Sequence, residues 1–88
     1  MATKVVAEVV EVRGTGECSA GHKPGDKLIF TEHVPAGLCR WAAGALAAPV
    51  SVLLNGGNFS WAPNGEPTQW CCPDPTETVV FELRREKD

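Results

Sequence analysis

The sequence has fewer basic than acidic side chains and therefore little positive charge. Its 88 residues carry eight Lys and Arg against eleven Asp and Glu, which gives a formal net charge of −3. A nucleic-acid-binding surface needs clustered basic side chains to neutralise phosphates. This balance therefore argues against a nucleic-acid partner.

Long apolar runs and a secretion signal are also missing. The longest apolar segment, residues 41–54, is interrupted by Gly44 and Pro49 and is shorter than the ~20 residues of a membrane-spanning helix. Residues 1–4 lead directly into a strand-like stretch, without the apolar region and small-residue cleavage site of a secretory signal. From these absences we expect a cytoplasmic protein without membrane association.

Three widespread catalytic motifs are absent from the sequence. It has no Gly-rich phosphate loop with its lysine, no serine in a strand-to-helix elbow, and no pair of carboxylates at helical spacing within its predicted helix. The sequence leaves enzyme activity undecided, and these absences favour a role other than catalysis.

The patterns that are present indicate one α+β domain over residues 1–88. Four segments are β-branched or alternate between apolar and polar residues, as strands do: 4–13, 27–31, 68–72 and 78–85. Pro35 suits a first helical position, and the Ala- and Leu-rich residues after it favour a helix through Ala48. Pro49 is expected to end or kink that helix, which leaves residues 50–54 as a second helical turn or an extended segment. We predict a sheet of about four strands packed on one main helix.

The first strand and the helix are apolar on more than one side. Valines occupy both faces of the strand, and the helix side opposite its core stripe is Ala and Gly with one charge, Arg40. Such a strand usually lies between two layers or against another subunit, and such a helix needs burial on two sides. A short chain offers one good side, so we predict a homo-oligomer.

Four ordered motifs cover nearly the whole chain: GECSAGHKPGD, VPAGLCRWA, NGGNFSW and CCPDPTETVVFELRR. Together they resemble a family of small uncharacterised bacterial proteins that share a Gly-His-x-x-Gly-Asp turn, a Pro-x-Gly-Leu-Cys-x-Trp-Ala segment and a Cys-Pro-Asp-Pro turn. The resemblance implies a single domain. It implies no settled activity.

Cysteine and histidine are the chemically most informative residues. Cys18 and His22 lie in a Gly-rich loop, Cys39 lies in the predicted first helical turn, and Cys72 closes the predicted third strand. Side chains at loops and element ends can converge, and three thiolates with one imidazole suit a tetrahedral zinc or iron ion. We predict a metal site from these four residues, although their spacing matches no known finger or ribbon pattern.

The Cys71-Cys72 pair can supply one ligand, because neighbouring side chains of a strand face opposite sides. We assign Cys72 to the site, since it adjoins the rigid Pro73-Asp74-Pro75 turn, and Cys71 to the core. Asp74 itself is expected to accept backbone N–H groups that the turn leaves free.

Two other interpretations of the thiols stay open. Free cysteine often behaves as a small buried hydrophobe, so all four could be structural. Alternatively, Cys39 or Cys72 could be the nucleophile of a thiol-dependent enzyme with His22 as its base. The start of a helix favours the thiolate form of Cys39, whereas burial in the core opposes it.

Aromatic residues suggest a further function, a ligand- or partner-binding module in which the cysteines are structural. Trp41, Phe59, Trp61 and Trp70 could line a pocket for a small molecule or another protein. Filling the core or a subunit interface is the more common role of such rings. The sequence identifies neither the ligand nor the partner.

Overall fold

A computed structural model describes residues 4–16, 18, 20–63 and 67–86. Its elements are β1 (Lys4–Val12), β2 (Lys27–Phe30), α1 (Arg40–Leu54), β3 (Thr68–Cys71) and β4 (Val79–Glu86). The predicted α+β class is confirmed, and each strand bound lies within one residue of the expected one. Residues 1–3, on which the localisation inference depends, and residues 17 and 19 of the first loop lie outside the described residues.

The four strands form one antiparallel sheet in the order β2-β1-β4-β3. The two longest strands are central, and their register pairs Val5 with Arg85 and Val9 with Phe81. The register shifts after Val9, so that Glu11 pairs with Val80. This β-bulge leaves Val10 without a partner on β4, as an extra residue in one strand does.

The core lies between one face of this sheet and α1. Besides Cys72, its buried members are Val5, Ala7, Val9, Phe30, Ala42, Leu46, Val50, Leu53, Val79, Phe81 and Leu83. Leu46, Phe81 and Leu83 are among the largest fully buried side chains, and each contributes roughly 1.5–3 kcal/mol through burial. One helix and one sheet face therefore account for most of the apolar burial.

The opposite sheet face, here called the outer face, is covered by charged side chains. Arg84 contacts Glu8 at 3.0 Å, Glu82 at 3.4 Å and Glu86 at 3.7 Å. The hydrogen bond to Glu8 raises the pKa of Arg84 above its ordinary value, and partial burial opposes that shift. Val6 pairs with Arg84 across the strands and is itself buried, whereas Val10 is 37% exposed. The second apolar side of β1 is therefore covered only in part.

The helix differs from the sequence prediction at its start, whereas its end matches one of the two predicted alternatives. It begins at Arg40 rather than Pro35, because Gly37 has a φ of +88° and lies in the left-handed region, outside helical geometry. It then continues through Pro49 to Leu54. Proline lacks one helical N–H, but the Pro49 ring is buried beside the core, and this packing offsets the loss. No helix within the described ranges has the length and apolarity to cross a bilayer.

Candidate functional site

The predicted ligand residues lie on three segments that meet at one end of the sheet. The loop between β1 and β2 is fixed to β1, since Gly25 N–H donates to the Val9 carbonyl and Val9 N–H donates to the Asp26 carbonyl, each at 2.8 Å. Beyond β3, Cys72 N–H still donates to the Val79 carbonyl of β4 at 3.0 Å. The start of α1 completes the group.

His22 connects the loop to the helix. Its side chain is buried, with 6% of the residue exposed, and its Nε2 accepts a hydrogen bond from the Cys39 N–H at 3.1 Å. The imidazole edge contacts the Phe81 ring, with 6.1 Å between centroids. Cys39 is the N-cap of α1 but makes no side-chain cap. His22 therefore provides the acceptor for a backbone N–H at the helix start.

Two of the sulfur atoms receive backbone hydrogen bonds. Ala20 N–H donates to Cys18 Sγ at 3.4 Å, and Val79 N–H donates to Cys72 Sγ at 3.3 Å. Each of these two sulfur atoms therefore has a fixed backbone partner.

The orientation of the cysteine pair is opposite to the prediction. Cys71 is exposed, whereas Cys72 is buried and belongs to the core. Along β3, the side chains of Thr68 and Trp70 are the less exposed ones and Gln69 and Cys71 are exposed, so alternation turns Cys72 inward. Assigning Cys71 to the core was wrong because the turn after Cys72 does not release its backbone from β4.

The four ligand candidates lie in or beside the core, but their side chains are not arranged to bind a metal ion. Cys18 and Cys39 are half-buried against the same core cluster that contains Cys72. Across the described part of the chain, no group of three or more His, Cys, Asp or Glu side chains is arranged to hold a metal. A neutral imidazole has one acceptor nitrogen, and in His22 the Cys39 N–H occupies it.

The turn after Cys72 is built around Asp74, as predicted. Asp74 Oδ1 accepts the N–H groups of Thr76 at 2.9 Å and Glu77 at 3.2 Å. Glu77 Oε2 in turn accepts the N–H and the hydroxyl of Thr15, both at 2.9 Å. The turn is thereby joined to the loop that carries Cys18. Sequence analysis missed this link, since 62 residues separate its partners and no local pattern marks it.

The four aromatic residues predicted to line a pocket divide between two places. Phe59 stacks on Trp61 with 5.1 Å between centroids, and Trp70 contacts Phe59 at the same distance. Trp41 instead lines a cavity with Pro73, Asp74 and Pro75. The aromatic cluster and this cavity are therefore separate candidate surfaces.

No protein-family model, curated protein or solved structure matches this chain.

Proposed function

We propose that this protein binds one zinc or iron ion through Cys18, His22, Cys39 and Cys72. The observation that carries the proposal is the hydrogen bond between the Cys39 N–H and His22 Nε2. It places the imidazole beside the backbone of Cys39, whose thiol is another of the proposed ligands. The two partners are 17 positions apart in sequence and meet through the fold.

The surroundings of the sulfur atoms support the same proposal. Cys18 and Cys72 already accept backbone N–H groups, the outer contacts that commonly orient and stabilise metal-bound ligands. Three thiolates and one imidazole are a donor set that zinc and iron accept. The chemistry of the residues fits the ion, although the side chains must first rearrange.

Metal binding requires His22 Nε2 to exchange its hydrogen bond for a bond to the metal. His22 Nε2 must give up the Cys39 N–H, because the same lone pair makes either a hydrogen bond or a metal bond. A nearby thiolate can then accept the released N–H. With four protein ligands no position stays open for water, which is typical of structural zinc rather than hydrolytic zinc. The proposal therefore assigns the ion a structural or redox role.

Elemental analysis of untagged protein purified without chelator tests this proposal. We expect about one zinc or iron per chain, and the same content in Cys71→Ser, the matched control on the outer face. Cys18→Ser, Cys39→Ser and Cys72→Ser should each lose the ion. Metal-free protein, or equal metal content in all four variants, would contradict the proposal.

A non-catalytic homo-oligomeric binding module is the second candidate. The exposed side of α1 carries one charged residue, Arg40, among Trp41, Gly44, Ala47, Ala48, Ser51 and Val52. The solvent face of a helix normally carries several charges. A second copy of this chain that packs on that side would bury the exposed apolar surface of the helix.

Light scattering coupled to size exclusion tests the second candidate. We expect an oligomer that dissociates when Ala48→Glu puts a charge on the exposed helix side. Thr31→Glu, at another exposed position, should leave the oligomer intact. A wild-type protein that stays monomeric at high concentration would exclude this candidate.

The thiol-dependent enzyme receives less support. Cys72 is 8% exposed, which gives a substrate little access to its sulfur. His22 Nε2 accepts a backbone N–H rather than facing a thiol as a general base would.

A further inference from the structure

The start of α1 and the Pro73-Asp74-Pro75 turn border an open cavity of about 340 Å³ that the proposed metal site does not use. Trp41 completes its lining. This volume is at the lower end of the range of about 300–1,000 Å³ for small-molecule sites. The lining residues are one tryptophan, two prolines and one aspartate. Such a lining is largely apolar and has a single residue that can carry charge.

Trp41 is an unusually exposed aromatic residue, with 63% of its surface accessible. The Arg40 guanidinium lies 5.6 Å from the Trp41 ring centroid. This distance is within the range of a cation–π interaction, in which the negative face of the indole attracts positive charge. The chain's own Arg40 therefore shows which kind of group this ring attracts.

Asp74 is a fixed carboxylate at the same cavity. Two backbone N–H groups hold its Oδ1, and the flanking prolines restrict its backbone. Among the described residues, no basic side chain forms an ion pair with Asp74. Its negative charge is thus held in place and has no cationic partner within that part of the chain.

We propose that this cavity binds a small alkylated organic cation of the quaternary ammonium class. Its positive charge lies between the Trp41 ring and Asp74, and its alkyl groups contact Pro73 and Pro75. A quaternary ammonium ion is weakly hydrated and apolar on its outside, so it matches this lining. A metal ion would need several polar ligands, and an anion would meet Asp74. Arg40 is the positive group that the ligand displaces.

Choline and its neutral isostere 3,3-dimethyl-1-butanol are the probes that test this proposal. Both are titrated at constant ionic strength into ¹⁵N-labelled protein, and the indole N–H resonances of the three tryptophans are followed. We expect saturable choline binding in the millimolar range with the largest shift at Trp41. The neutral isostere should bind about three- to thirty-fold more weakly, the range of a cation–π contribution.

Four variants make the assignment specific. Trp41→Leu and Asp74→Asn should each weaken choline binding, and Asn keeps the oxygen that accepts the Thr76 and Glu77 N–H groups. Arg40→Gln should tighten binding by removing the competing cation. Trp61→Leu is the matched control, since Trp61 is 67% exposed and lies in the aromatic cluster.

Equal binding of choline and its neutral isostere would overturn the proposal, as would the absence of saturable choline binding. Choline affinity that is unchanged in Trp41→Leu or Asp74→Asn would do the same. Affinity that is unchanged or weaker in Arg40→Gln would overturn the assignment to the Trp41 face. Loss of binding in Trp61→Leu would move the site to the aromatic cluster.

Discussion

The two faces of the sheet place the same chemical group in different surroundings, as the adjacent thiols of Cys71 and Cys72 show. Cys71 is exposed on the outer face, whereas Cys72 is buried against the core and accepts a backbone N–H. The outer face carries its polar groups in water-accessible ion pairs around Arg84. The inner side holds His22 and Cys72 among apolar residues. Environment, rather than residue type, thus separates a surface thiol from a candidate ligand.

Truncation of the inner core should give the largest effect on stability. Leu46 is fully buried between α1 and the sheet, and we expect Leu46→Ala to lower the free energy of unfolding by about 2–5 kcal/mol through lost burial and a cavity. Chemical denaturation measures this change. Val52→Ala on the exposed side of the same helix is the control, and its effect should be well below that of Leu46→Ala. Equal effects would show that α1 is not packed as described.

His22 should have the next largest effect, through the hydrogen bond it accepts. In metal-free protein, His22→Ala leaves the Cys39 N–H without its acceptor and should cost about 1–3 kcal/mol of unfolding free energy.

His22→Gln separates the two roles of this side chain. Its amide oxygen can accept the same N–H, so most of the stability should return in chemical denaturation, while metal binding should not return. Restored metal content in His22→Gln would remove His22 from the ligand set.

The cysteine pair gives a direct test of the contrast between the faces. We expect Cys72→Ser to lower the unfolding free energy by about 1 kcal/mol, because a polar hydroxyl replaces a buried sulfur that behaves as a small hydrophobe. Cys71→Ser should leave stability within about 0.5 kcal/mol of wild type, as exposed substitutions usually do. The comparison is made by urea denaturation of both variants without metal. A larger loss of unfolding free energy in Cys71→Ser than in Cys72→Ser would show that Cys71, rather than Cys72, faces the core.

The outer ion pairs should give the smallest effect. Glu8→Gln removes a carboxylate that contacts Arg84 at 3.0 Å, and we expect a loss of about 0.2–1 kcal/mol that shrinks as salt is added. Glu11→Gln, whose partner Arg13 is more exposed, is the control and should change stability less. A salt-independent loss in Glu8→Gln would show that packing, rather than charge, is what Glu8 contributes.

Local patterns predicted the sheet well and the helix start poorly. Alternation and β-branched residues are properties of neighbouring positions, so they gave strand bounds close to those observed. The helix starts late because Gly37 adopts a left-handed conformation, which helix propensity does not predict. The passage of the helix through Pro49 goes with the burial of that ring, which depends on packing against the rest of the fold.

The candidate site could be predicted in its residue types but not in its contacts. The sequence identified Cys18, His22, Cys39 and Cys72 as chemically important. It could not reveal that His22 accepts the Cys39 N–H or that Glu77 bonds Thr15, since these partners meet through the fold. The orientation of the cysteine pair was predicted wrongly, because proximity to a turn does not establish exposure.

Site-resolved alkylation of the four cysteines, followed by mass spectrometry with and without chelator, tests the central claim most directly. We predict that Cys71 is alkylated quickly in both conditions, whereas Cys18, Cys39 and Cys72 react together and only after the metal is removed. Half-buried Cys18 and Cys39 that react at the same rate with and without chelator would contradict a shared metal site.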